Sequence, residues 1–128
     1  MIVVMPLLPA FEGNVDDPNA AVLRIQLYWE YMTISRGTAS IYKQLEEDPH
    51  VQNPYDYIKF YALRNHDVLN NKPISEMIYV HSKLMIVDDD VVIMGSANIN
   101  DRSMLGRCDS EIAMVIDDQD KVETKFGG

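Results

Sequence analysis

His81 and Lys83 stand two residues apart in Tyr79-Val80-His81-Ser82-Lys83-Leu84-Met85-Ile86-Val87-Asp88, and Gly95-Ser96-Ala97-Asn98 follows shortly after. These residue types suit the handling of a phosphodiester. A neutral imidazole, with a reference pKa of about 6.5, attacks phosphorus or exchanges a proton near neutral pH. The Lys83 ammonium offers fixed positive charge to phosphoryl oxygens that gain charge in the transition state. Ser96 and Asn98 are small donors for the same oxygens. Glu111 is a candidate to hold the second imidazole nitrogen, the third group of a nucleophile–base–orienter arrangement. This scheme calls for no metal ligand. Alone, a His-x-Lys pair on a strand is more often a solvated face, and Gly95-Ser96-Ala97-Asn98 alone is a strand-to-turn transition. Asp88 has two readings, a member of the catalytic set or an Asx residue opening a turn.

Such a set works only if its elements hold it together. Residues two apart on a strand share a face, so His81 pairs with Lys83 and Ser96 with Asn98 on common sides. A hairpin about Asp89-Asp90 with an even-length loop sets His81 opposite Asn98 and Lys83 opposite Ser96. Opposed side chains then lie about 4.5–5.5 Å apart at Cβ, within reach of one phosphate. A loop one residue longer shifts the register and scatters the set across both faces. Gly95 permits close backbone approach on its strand.

Upstream, Met1 to Met5 reads as a short strand and Pro6 to Pro18 as a loop. Asn19 to Ser35 has helical period, with Val22, Ile25, Trp29 and Met32 on one stripe, which makes Trp29 a core residue. Gly37 is placed as a helix stop, and Thr38 as the cap of a second helix over Ala39 to Glu47. Tyr55 to Leu63 reads as a strand and Arg64 to Pro73 as a polar loop. Met77 to Val87, Val91 to Ile99 and Glu111 to Ile116 are the remaining strands. Helices between strands predict an α/β fold with a mixed β-sheet flanked by helices.

A chain of 128 residues that is 47% hydrophobic makes one globular domain with a modest core. The net charge of −9 and pI near 4.6 oppose a nucleic-acid footprint and adsorption to an anionic membrane by this segment alone. No apolar run approaches the roughly 20 residues that span a bilayer, and the apolar start lacks the basic residues and cleavage site of a signal peptide. The single cysteine, Cys108, excludes an internal disulfide and fits a reducing compartment. Nothing in the motif needs its thiolate.

The chain resembles the C-terminal catalytic half of a eukaryotic phospholipase D, of the type that elsewhere carries PX and PH domains. The resemblance rests on Met5-Pro6-Leu7-Leu8-Pro9 with Phe11-Glu12-Gly13, on Ile78 to Lys83, on Gly95 to Leu105, and on Asp109-Ser110-Glu111-Ile112-Ala113. It implies one half of a two-lobed catalytic fold over residues 1–117, with 118–128 a frayed tail, and a chain that is a fragment of a longer protein. It implies hydrolysis of phosphatidylcholine to phosphatidic acid and choline, or transfer of the phosphatidyl group to an alcohol. Two His-Lys-Asp motifs would share a phosphohistidine intermediate, so an N-terminal half with its own motif is the implied partner. His81 would be the general acid/base, Glu111 its orienter, and Lys83, Ser96 and Asn98 the phosphate holders, with Asp88 completing the catalytic set. No cofactor is implied for the chemistry; a regulatory phosphoinositide or divalent cation is left open. The implied setting is cytoplasmic, at a phospholipid surface, without nucleic acid. A homodimeric phosphodiesterase of the wider superfamily and a non-catalytic fragment are the alternatives. Cys108 departs from the family pattern, which has arginine there, and His50 and His66 match no motif and read as surface residues.

Overall fold

The computed structural model describes residues 1–10 and 13–117; Phe11, Glu12 and the segment read as a frayed tail, 118–128, lie outside it. The described chain divides into two units, Met1–His81 and the part beginning at Ser82.

In the first unit, β1 (Ile2–Val4) runs parallel to β2 (Lys59–Tyr61), with Val3 beside Phe60. Parallel neighbours need a long crossover. Here it carries α1 (Ala21–Tyr31), a π-helical turn (Met32–Arg36) and α2 (Ile41–Glu47). The Gly37 amide closes the π turn on the Met32 carbonyl at 2.9 Å, so the predicted stop is where the helix ends. The cap of α2 is Ser40 rather than Thr38: its side chain accepts from the Lys43 amide, and it is fully buried. The predicted strand over Tyr55 to Leu63 is shorter than expected, because Pro54–Asp56 forms a 3₁₀ turn and leaves only Lys59–Tyr61 extended.

Trp29 is a correction. It is 62% exposed, with Val22 and Ile25 of the same stripe also exposed. The covered face of α1 lies one residue over: Leu23 is buried, and Leu27 and Glu30 are half-buried. Both stripes have helical spacing, and Leu23 with Ala20 holds the inner position. Burying Leu23 is worth about 1.5–3 kcal/mol. A shallow apolar recess lined by Met1, Ile41, Gln44, Leu45, Tyr57 and Ile58 contains none of the predicted site residues.

The predicted loop Arg64 to Pro73 is instead most of a hairpin, β3 (Leu63–Leu69) and β4 (Lys72–Ile78). Asn70 and Asn71, at φ 52° and 60°, make its two-residue turn. Every β3 residue is exposed, so burial left no alternating apolar signature in its sequence.

The described residues of the second unit form an antiparallel sheet in the order β5 (Leu84–Val87), β6 (Val91–Gly95), β7 (Ala113–Asp117). A short helix, α3 (Asp101–Met104), lies between β6 and β7 in sequence. The predicted long strands over 77–87 and 91–99 are therefore interrupted at Ile78 and Gly95. Among the described residues the fold is α/β with parallel and antiparallel pairings, distributed over three small sheets. Among the described residues the buried apolar side chains are Ala20, Leu23 and Ile58. Leu84 and Ile86 of β5 and Met114, Val115 and Ile116 of β7 are all exposed.

Candidate active site

The hairpin that carries the motif forms, but in a different register from the one predicted. Val87 pairs with Val91 and Leu84 with Met94. The loop is Asp88-Asp89-Asp90, three residues rather than an even number. Asp88 and Asp89 both take positive φ, 52° and 58°, and the Asp90 amide bonds back to the Val87 carbonyl at 3.1 Å. These two left-handed residues make a primed turn whose twist matches the strands, and Asp90 follows as the extra residue. The Gly95 amide then meets the Lys83 carbonyl at 3.2 Å, so Lys83 stands opposite Gly95, not Ser96. The expected pairing of His81 with Asn98 rested on the same even loop and falls with it. Asp88 occupies the first left-handed position of the turn, a backbone task that short Asx side chains tolerate.

What gathers the second unit's polar residues is the end of the sheet rather than strand alternation. Beyond the last β6–β7 pair, Gly95 with Ala113, the Ser96 amide donates to the Ile112 carbonyl at 2.9 Å. The Ile112 amide returns to Ser96 Oγ at 3.0 Å, so a side chain replaces a backbone acceptor in the ladder. Gly95 is required there: a Cβ would press on the Ile112 carbonyl and lie 2.8 Å from Ala113 Cα.

Glu111 sits just before β7 and accepts two hydroxyl protons. Ser96 Oγ donates to Oε2 at 2.5 Å, and Ser103 Oγ donates to Oε1 at 2.5 Å. Charge-assisted hydrogen bonds of this kind are short and strong. They hold the Glu111 carboxyl below its ordinary pKa of 4.5, Ser103 first and Ser96 second; Lys83 adds to the effect, and desolvation and Asp109 oppose it. Ser103 Oγ also accepts the Asn98 amide at 3.0 Å. Ser103 owes its place to Asn100, which caps α3 by accepting the Ser103 amide at 3.1 Å. A further tie closes the excursion between β6 and β7, where Arg102 pairs with Asp109 at 3.0 Å. Cys108, beside that pair, is exposed.

The predicted residues thus fall in two groups. Lys83, Asp88, Ser96, Asn98 and Glu111 belong to the second unit, and Lys83 lies within electrostatic range of Glu111. His81 ends the first unit, exposed, with its ring 6.2 Å from that of Tyr79. Ser96 has one proton and directs it at Glu111, so donating to a phosphoryl oxygen requires Glu111 to release it. The side-chain amide of Asn98 and the Lys83 ammonium are the other donors of the predicted set. Ser103 was not singled out from the sequence; its signal was Asn100 three residues earlier, the spacing of a helix cap. Among the described residues, no group of three or more His, Cys, Asp or Glu is placed to hold a metal ion. No described helix is long and apolar enough to cross a membrane.

Comparison with known proteins agrees with the motif. A family model described as Phospholipase D matches residues 69–120. Phospholipase D zeta 2 of Arabidopsis thaliana is 49% identical over 132 aligned residues, covering 100% of this chain and 12% of that protein. Phospholipase D1 of Homo sapiens is 46% identical, covering 98% of this chain and 12% of the relative. Phospholipase D of Phytophthora infestans is 49% identical over 117 residues, 91% of this chain and 6% of that protein. The chain therefore spans a small part of the length of the relatives it matches.

Proposed function

Because this chain belongs to the phospholipase D family, we propose that it supplies one half-site of a phospholipase D, acting on phosphatidylcholine together with a second His-x-Lys half. The supporting observation is an alignment at 49% identity that covers all of this chain, the stretch from His81 to Glu111 included. A histidine of the other half attacks phosphorus, and the choline oxygen leaves with a proton from His81. His81 then takes a proton from water, or from an alcohol, whose oxygen breaks the phosphorus–nitrogen bond. The products are phosphatidic acid or a new phosphatidyl ester, and both histidines return to their starting state. General acid–base help of this kind is worth about 10²–10⁴-fold.

Lys83 and Asn98 hold the phosphoryl oxygens, and Ser96 joins them when an anionic oxygen draws its hydroxyl from Glu111. Glu111 is assigned the orientation of His81, and Asp88 sets the turn that ends the motif strand. Residues 1–117 form this catalytic half. The chemistry asks no cofactor of these residues. The proposed setting is the cytoplasmic surface of a membrane, with peripheral attachment, because the proposed substrate is a phospholipid.

The test is to replace the matching segment of Arabidopsis Phospholipase D zeta 2 with this chain and to assay choline release and transphosphatidylation. Turnover abolished by His81→Ala is the expected result. Turnover that survives His81→Ala, or a chimera that folds and does nothing, counts against the proposal.

A further inference from the structure

Ser103 belongs to no part of the phosphodiester scheme, yet its hydroxyl is the point where two of that scheme's residues meet. It accepts the Asn98 backbone amide at 3.0 Å and donates to Glu111 Oε1 at 2.5 Å. We propose that Ser103 is a positioning residue: one half-buried hydroxyl locks the Gly95–Asn98 segment to Glu111 and so fixes where Asn98 presents its side chain.

The geometry makes this a closed ring of bonds. Ser96 Oγ holds Glu111 Oε2, Ser103 Oγ holds Oε1, and Asn98 is tied to Ser103, so two hydroxyls and one carboxylate span the gap between the ends of β6 and β7. A hydroxyl has one proton and two lone pairs. Ser103 uses the proton on the carboxylate and a lone pair on the amide, so removing it leaves both Asn98 N–H and Glu111 Oε1 without that partner. Asn100 fixes Ser103 in turn, through the cap of α3. Glu111 is bound to the loop rather than isolated, which agrees with the lowering of its pKa by the two serines. Ser103 acts through Asn98 and Glu111, and its assignment to phosphoryl transfer rests on the phospholipase D reading above.

Two measurements separate the lock from that reading. In the full 128-residue chain, the Glu111 Cδ resonance is titrated by NMR and exchange of the Asn98 amide is followed. Ser103→Ala should move the Glu111 titration up toward its ordinary value and speed Asn98 exchange about 2- to 10-fold, the size of a lost neutral amide–hydroxyl hydrogen bond. Ser103→Thr, which keeps the hydroxyl, should behave as the wild type. An alanine variant that leaves both readings unchanged overturns the lock. So does a threonine variant that titrates and exchanges like alanine, and the threonine variant decides the matter if alanine prevents folding. In the chimera with Phospholipase D zeta 2, Ser103→Ala should lower kcat about 10- to 100-fold with KM little changed, and Ser103→Thr should restore it. An alanine chimera with wild-type kcat overturns the positioning role. A folded chimera inactive with Ser103 in place overturns the phospholipase D reading, and the titration still decides the lock.

Discussion

Ser96 gives its hydroxyl proton to Glu111, 15 residues further along the chain, at 2.5 Å. The same oxygen accepts the Ile112 amide, so one serine closes the β6–β7 ladder and ionises its neighbour's carboxyl more readily. The polar end of this sheet is thereby organised by its own side chains.

This bond makes the sheet end sensitive to acid. Glu111 titrates below its ordinary 4.5, through hydrogen bonds from Ser103 and then Ser96. A carboxylate with a depressed folded pKa stabilises the fold fully above the unfolded value, and that contribution is lost as pH falls through the folded value. The Ile112 and Ser96 amides should accordingly lose protection, relative to their intrinsic exchange rates, once the pH drops below about 4.5, with Glu111→Gln removing the response. Amide exchange at several pH values checks this. A Gln variant with the wild-type pH response would refute it.

Gly95→Ala should destabilise the second unit by about 1–3 kcal/mol, the usual cost of forcing extra atoms into a tight backbone approach. The new Cβ has no flexible side chain to displace; its nearest atoms are the Ile112 carbonyl and the Ala113 backbone and Cβ. β7 must move, and the Ser96–Glu111 bond with it. Denaturant unfolding read at the β6 and β7 amides is the measurement, and a midpoint equal to the wild type would count against this.

The turn of the motif hairpin responds in the opposite sense to glycine. Asp89 holds φ 58°, where most side chains are strained. Asp89→Gly should leave the hairpin as stable or stabilise it by up to about 1 kcal/mol, whereas Asp89→Val should cost about 1–2 kcal/mol. Thermal unfolding of the two variants side by side provides the comparison; equal melting would argue against the primed turn.

The same turn marks the limit of what was legible in the sequence. Apolar–polar alternation is absent on either side of it: Leu84 to Val87 and Val91 to Met94 are apolar throughout, so their strand character was plain while their register was not. Only the turn chemistry of three successive aspartates separates a two-residue loop from a three-residue one, and aspartate tolerates both. Helix α1 posed a similar choice, since Val22, Ile25 and Trp29 form as good a stripe as Ala20, Leu23 and Leu27. Periodicity finds such stripes, and tertiary packing chooses between them. β3 and most of β4 were missed for the converse reason, because their largely exposed residues carry no apolar alternation and Asn70-Asn71 is a weaker turn signal than Asn-Gly. The residue types of the proposed site could be named because the proposed chemistry is tied to sequence spacing. Their support through Ser103 could not, because it depends on where a helix cap places one hydroxyl.

Although 47% of the chain's residues are hydrophobic, few apolar side chains are buried among the described residues, and both outer strands of the second unit's sheet expose theirs. Strands that are apolar on both faces are built to be covered on both. Exposed apolar surface on this scale marks an interaction surface or an aggregation hazard. The purified 128-residue chain should therefore bind a hydrophobic dye such as ANS and self-associate with rising concentration. It should also lack meaningful phospholipase D turnover, because one histidine either attacks phosphorus or protonates the leaving group, and the two tasks fall in the same step. Dye binding, sedimentation and choline release on one preparation test these together. A monomeric chain that ignores the dye would overturn the surface argument. Turnover by the chain alone that vanishes in His81→Ala would replace the half-site with a homodimer in which two copies each supply a histidine.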